Sequence, residues 1–165
     1  MKKVERKSQK KSVRAVPKGF HTVTPYLVVN DARGLLEFIE KAFDGEVTSK
    51  MKGEDGRIMH ATVQIGDSII MVSDVMKGMN EPMPTMLYLY VDDVDAMYRQ
   101  AINARATSIR EPVDEFYGDR SAGVRDEWNN QWWVATHTED ISNAEMERRK
   151  EESLKKGAQM SHSQH

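Results

Sequence analysis

Thr24-Pro-Tyr-Leu-Val-Val-Asn-Asp31 decides the reading of this chain, because residues 85–93, Thr-Met-Leu-Tyr-Leu-Tyr-Val-Asp-Asp, repeat its pattern. Tyr26, Leu27, Val29 and Asp31 fall on Tyr88, Leu89, Val91 and Asp93 at an offset of 62. Ala42, Thr48 and Ser49 fall on Ala101, Thr107 and Ser108 at an offset of 59. The offset drops by three between strand and helix, so the first helix is nearly one turn longer. A period near 60 occurring twice points to a duplicated domain and away from a solenoid.

Working outward from Asp31, residues 32–43 place Leu35, Leu36, Phe38, Ile39, Ala42 and Phe43 at the three/four spacing of one buried helix face. Asn30 and Asp31 can cap its start, and Gly45 is expected to stop it. Behind it, 21–29 reads as an edge strand because it contains Pro25. Strands follow at about 46–52, 57–65 and 68–73, with GEDG (53–56) and Gly66-Asp67 as turns. Residues 74–84 form a loop rich in Met, Pro and Gly. The order then restarts: a strand at 85–91, a helix at 94–104, and strands at 106–111, 119–125 and 131–138. Ser142 to Glu145 is a capping-box pattern that opens a charged helix over 142–157.

Two-residue alternation separates the faces of these strands. Leu27 and Val29, Leu87, Leu89 and Val91, Met59, Ala61, Val63 and Ile65, and Trp132 and Val134 form aliphatic sides suited to a helix. The opposite sides carry Tyr26; Tyr88 and Tyr90; His60, Thr62 and Gln64; and Gln131, Trp133 and His137. Apolar bulk with a few polar anchors is the makeup of a ligand pocket, so this second face reads as a cavity wall.

The 165 residues suffice for one domain with its own core and are few for two ordinary ones. There is no cysteine, which removes disulfides, thiolate metal sites and a cysteine nucleophile. No apolar run approaches the roughly 20 residues of a membrane span, and the basic N-terminus lacks the apolar core of a secretory signal. A cytoplasmic protein without membrane association is the expectation. Net charge is −2, but residues 1–19 carry +7, 20–138 carry −8 and 139–165 carry −1. Residues 1–19 read as a disordered basic tail. The acidic body makes nucleic acid an unfavoured partner.

Several further stretches carry a resemblance: Gly56-Arg-Ile-Met-His-Ala61, Ile65-Gly-Asp-Ser68, Phe116-Tyr-Gly-Asp-Arg-Ser121 with Val124-Arg-Asp126, and Trp132 through His137. With Thr24 to Val29, their order and spacing resemble PhnB-like members of the vicinal-oxygen-chelate superfamily (glyoxalase, bleomycin-resistance and dioxygenase proteins). The resemblance covers about 20–150. It implies an α+β fold of two tandem βαβββ modules forming a cupped mixed sheet with helices on the outer face, plus a C-terminal helix. The domain is expected at 20–141, with modules 20–75 and 84–141, followed by the helix 142–157 and a disordered tail 158–165. A homodimer is implied too, since an isolated cup leaves edges and apolar walls exposed.

Enzymes of this superfamily hold a divalent metal through His, Gln or Glu on the first and last strand of each half. Carried over by position, those places are Thr24, Met71 or Ser73, Met86 and Trp133, whose hydroxyl, thioether and indole groups are poor ligands for such a cation. No metal site is expected. The turn Asp126-Glu-Trp-Asn-Asn-Gln131 also departs from the family's Asp-Pro-aromatic-Gly pattern, with Asn129 able to supply the left-handed residue. No glycine-rich strand-to-helix turn supports a nucleotide-like cofactor, so none is expected.

The candidate residues are His60 as a general base, Arg120 as a carboxylate or phosphate clamp near Tyr117, and Tyr26, Gln64, Tyr88, Tyr90, Tyr117 and Trp133 as ligand contacts. Each has a structural alternative. His60 can be a simple hydrogen-bonder, Arg120 an ion-pair partner of Asp119, Asp126 or Glu115, and the aromatics core packing. His137 receives no role. Two functions follow. The first is a metal-free protein binding a small aromatic or amphipathic compound, and the second is a metal-independent lyase or isomerase with His60 as base.

Overall fold

The computed structural model describes residues 13–162, with side chains to 155. Most of the basic leader, residues 1–12, and the end 163–165 lie outside the described residues. The first module runs β1 (Tyr26–Val29), α1 (Ala32–Phe43), β2 (Glu46–Lys52), β3 (Ile58–Ile65) and β4 (Ser68–Asp74). The second runs β5 (Met86–Tyr90), α2 (Val94–Asn103), β6 (Thr107–Asp114), β7 (Asp119–Arg125) and β8 (Gln131–His137), followed by α3 (Asn143–His162). The sheets have orders β1-β4-β3-β2 and β5-β8-β7-β6. In each, the first and last strands of the module pair in parallel and the rest antiparallel. Tyr26 lies opposite Met71 and Tyr88 opposite Trp133, so the offset of 62 holds across strands as well as along them.

Local chemistry explains the boundaries. The Asp31 carboxylate accepts from the Gly34 amide at 3.0 Å and Asp93 from that of Ala96 at 2.9 Å, each satisfying an otherwise unpaired donor of the first helical turn. At the other end of α1 the left-handed residue is Asp44 (φ 52), where the sequence suggested Gly45. Gly45 is required for a different reason: a Cβ there would stand 2.6 Å from Ile39 Cγ2, so it lets the chain pass tight against the helix. Asn129 does take the left-handed conformation (φ 66). α3 runs through His162 and not to about 157, because Ala158, Gln159 and Met160 are good helix formers with no proline to stop them.

Asp74 ties the first module together. Buried at the end of β4, it accepts from the Ala32 amide at 2.8 Å and the Ile58 amide at 2.6 Å, joining α1 to β3. Thr136 is its counterpart in the second module: its hydroxyl accepts from the Val94 amide and donates to the Val91 carbonyl, both at 2.9 Å.

The two modules share one core. Leu35, Leu36, Ile39, Phe43, Val63 and Val72 of the first belong to the same buried cluster as Val94, Ala122, Val124, Trp132 and Val134 of the second. Trp132 is the joint. It is fully buried, with its ring 4.7 Å from Phe43 and 6.3 Å from Phe38 of α1, and its indole N–H donates to Asp126 at 2.8 Å. Burying each such side chain contributes about 1.5–3 kcal/mol. Trp128 adds a second joint, seated so close to Gly34 of α1 that a Cβ there would lie 2.8 Å from its ring.

Met59 does not join Ala61 and Val63 in the core: it is the extra residue of a bulge between the Met51–His60 and Lys52–Ile58 pairs. It is 43% exposed, and Ile58 takes the buried place.

Candidate functional site

The helix-side faces of both sheets contribute to one core, and the aromatic faces are the opposite ones. Alternation suggested one hollow shared by His60, Gln64 and Tyr88. The structure instead separates the predicted residues into two groups, with no hydrogen bond or ring contact between them among the described residues.

The first group lies on β1 and β3. The Tyr26 hydroxyl is 3.5 Å from His60 Nδ1, with the rings 5.8 Å apart. No carboxylate bonds the His60 ring among the described residues, so nothing there orients it as a base is oriented in a catalytic dyad. Gln64 is exposed and donates to the Gly66 carbonyl at 3.0 Å. Ser73, buried on β4, has a hydroxyl without a partner among the described residues.

The second group is larger and more ordered. On its face β5 contributes Tyr88 and Tyr90, β8 contributes Trp133, Ala135 and His137, β7 contributes Asp119, Ser121 and Gly123, and β6 contributes Arg110. Small residues occupy the middle, so long side chains can lie across it. Tyr90 reaches over to donate to Asp119 at 3.2 Å. Trp133 lies over Gly123, where a Cβ would stand 3.1 Å from its ring. Arg110 lies 4.9 Å from the Trp133 ring centre, donates to Ser121 at 2.5 Å and pairs with Glu115. The Tyr88 and Tyr90 rings are 5.4 Å apart and tilted by 56°. Burial, reinforced by Tyr117, Tyr90 and Asp119, pushes the Tyr88 phenol well above its ordinary pKa, so it stays neutral.

Asp119 organises one end of this face. It is 4% exposed, and besides Tyr90 it bonds His137 Nδ1 at 2.7 Å. His137 Nε2 lies 3.1 Å from Asp140. The two carboxylates, Asp119 foremost, raise the His137 pKa above its ordinary value. The adjoining turn is clamped by Gly118, whose carbonyl accepts from the Thr138 and Glu139 amides and the Thr138 hydroxyl at 2.9–3.0 Å. That clamp fixes Tyr117, which stands edge-on to Phe116 at 5.3 Å.

Arg120 does not belong to this face. It has the parity of Ala122 and Val124, and it forks Asp95 of α2 at 2.7 and 2.9 Å and reaches Asp114 at 3.0 Å. It therefore staples helix to sheet, through partners other than those considered from the sequence. The guanidinium on the aromatic face is that of Arg110. His137, to which no role was given, is the imidazole with an orienting carboxylate.

Along the free edge of β5 runs a groove of about 1050 Å³ that does join the modules. Tyr88, Tyr90, Leu87 and Leu89 line one side, and Pro25, Ile65 and Ile69 the other.

The places where the superfamily carries metal ligands hold Thr24, Met71 or Ser73, Met86 and Trp133. The Trp133 indole N–H is a donor, engaged with Gln131 at 3.3 Å, and cannot coordinate a cation. These residues do not fit a hard or borderline dication. Among the described residues no three His, Cys, Asp or Glu side chains are grouped to hold one elsewhere. Nor is any described helix long and apolar enough to cross a membrane.

An uncharacterized protein of Mycobacterium bovis is 32% identical over 135 residues, covering 76% of this chain and 89% of that protein. Among solved structures, TioX from Micromonospora sp. ML1 superposes with a TM-score of 0.60 at 21% identity, covering 69% of this chain and 96% of TioX. A Bacillus cereus PhnB protein described as a putative 3-demethylubiquinone-9 3-methyltransferase gives 0.59 at 16% identity, covering 70% of this chain and 99% of that one. At these identities the two structures speak for the fold alone. The family model for the glyoxalase/bleomycin resistance protein/dioxygenase superfamily matches residues 19–134. The chain belongs to that superfamily.

Proposed function

We propose that this chain is a small-molecule-binding protein that works without a metal and seats an aromatic or amphipathic compound against β5. The observation that carries the reading is the arrangement of Tyr88 and Tyr90: both rings are on the open face, 44% and 68% exposed, and both line the groove. Tyrosines offer large, stiff contact area with a polar tip, which suits a guest with a flat apolar body. Tyr117 and Trp133 extend the same surface. Tyr26 and Gln64 lie with His60 on the other module's face and would contact a guest only from there.

The alternative, a metal-independent lyase or isomerase with His60 as base, has less support, since among the described residues His60 meets the Tyr26 hydroxyl and no carboxylate. Within the superfamily the quoted motifs favour a PhnB-like member, and the cysteine-free composition suits the cytoplasm. The outward aromatic faces, with Met51, Tyr26, Met86 and Tyr90 exposed, also favour a homodimer that covers part of them; light scattering of the purified protein reads this directly.

The test of binding is a thermal-shift and calorimetric screen against a diverse panel of aromatic compounds, repeated with Tyr88→Ala. Binders are expected, and loss of the Tyr88 ring should weaken them about tenfold, the scale of one stacking contact. A panel with no binder would count against the proposal.

A further inference from the structure

We infer that the groove along β5 selects an organic cation: an ammonium or ring-nitrogen cation carried on an aromatic or long apolar body. This deepens the small-molecule reading and rests on it. The lining is mostly apolar, including Val23, Phe43, Ile69, Ile70, Leu89 and Met97. Its charged members are three carboxylates, Asp44, Asp67 and Asp92, and among the described residues no Lys or Arg lines it. His21, Tyr88 and Tyr90 complete the titratable groups.

None of the three carboxylates is neutralised by an ion pair among the described residues. Asp44 accepts from the Gln100 amide at 2.7 Å and Asp67 from the Ser68 hydroxyl at 2.8 Å, both neutral donors. Arg57, Arg110, Arg120, Arg148 and Arg149 have carboxylate partners outside the groove. The groove thus keeps its negative charge while the surrounding body, residues 20–138, carries −8. Field lines converge in such a cleft and raise the local concentration of cations. Tyr88 and Tyr90 add two π faces, the surfaces that attract a desolvated ammonium. Aliphatic walls with carboxylates at the rim match a guest that is greasy along its length and positive at one end.

The experiment uses the full-length protein and one apolar body with three heads: 4-phenylbutyl carrying trimethylammonium, hydroxyl or carboxylate, titrated by calorimetry at low and at physiological salt. A single carboxylate about 6 Å from a cation in water changes affinity about threefold. With three such carboxylates the ammonium should bind roughly thirtyfold tighter than the alcohol at low salt, lose affinity with salt, and lose about tenfold in D67N/D92N. The alcohol should bind that variant unchanged, which also shows that it is folded. Val23→Lys, which places a cation at an exposed groove position, should weaken the ammonium in the same direction.

The inference is overturned if the alcohol or carboxylate binds as well as the ammonium, or if the ammonium's advantage is undiminished in D67N/D92N. It also falls if no member of the series binds while other aromatics from the screen do; in each of these cases the broader small-molecule reading stands. If nothing aromatic binds at all, both fall together.

Discussion

Replacing Asp74 by alanine tests how the first module is held. The two oxygens of this buried carboxylate accept from the Ala32 and Ile58 amides at 2.8 and 2.6 Å. Truncation removes both bonds and leaves two buried N–H groups, one at the start of α1 and one at the bulged end of β3. A hydrogen bond to a charged acceptor contributes about 1.5–3 kcal/mol, and a stranded buried donor costs about 1–3 kcal/mol. Because water reaches part of a helix start, the expected loss is about 3–5 kcal/mol and not the sum of all limits. With a urea slope of about 2 kcal/mol/M, the unfolding midpoint should fall by roughly 2 M. Thr136→Val in the second module removes one acceptor and one donor of a neutral hydroxyl and should cost about 1–2 kcal/mol. Urea unfolding followed by both far-ultraviolet circular dichroism and tryptophan fluorescence reads both. A loss below about 1 kcal/mol in D74A, or one no larger than in T136V, would refute the assignment of Asp74 as the module's internal tie.

Other substitutions probe the site. Gly118→Ala forces a Cβ to 2.3 Å from the Glu139 carbonyl oxygen at φ 92. It should cost about 1–3 kcal/mol in backbone strain alone, seen in urea unfolding, and disturb Tyr117. His137 has its pKa raised in the folded state, so its pairing stabilises fully below the unfolded value near 6.5 and is lost as pH climbs through the higher folded value. The stability gap between wild type and His137→Asn, measured from pH 5.5 to 9, should therefore shrink as pH rises; a gap that grows would reverse the assignment. Dialysis against a chelator should leave the calorimetric affinity for any aromatic binder unchanged, whereas a metal-dependent site would lose it.

Much of the fold was legible because its signals are local. The carboxylate caps at Asp31 and Asp93, the apolar stripe of α1 and the Gly66-Asp67 turn each act within a few residues, and duplication supplied the second module from the first. Arg120 shows where a stricter reading would have succeeded. It shares parity with Ala122 and Val124, so it had to point toward the helix side. Arg110 was beyond reach, because register shifts between Ser108 and Val113 scramble parity along β6. Met59 was misplaced for the same reason, by the bulge opposite Lys52. The separation of the two aromatic faces depends on Trp132 packing against Phe38 and Phe43, a contact between modules that no periodicity along the chain encodes. His137 also depended on distance: its partner Asp119 is 18 residues away and meets it only through the β7–β8 register.

The proposed site is tested most directly by mapping a bound compound onto the protein by nuclear magnetic resonance. With a binder from the aromatic screen, the largest amide and methyl shifts should fall on Leu87 through Val91 and on Ile65 through Ile70. Shifts centred instead on His60, Thr62 and Tyr26, or spread evenly over the surface, would contradict a guest seated against β5.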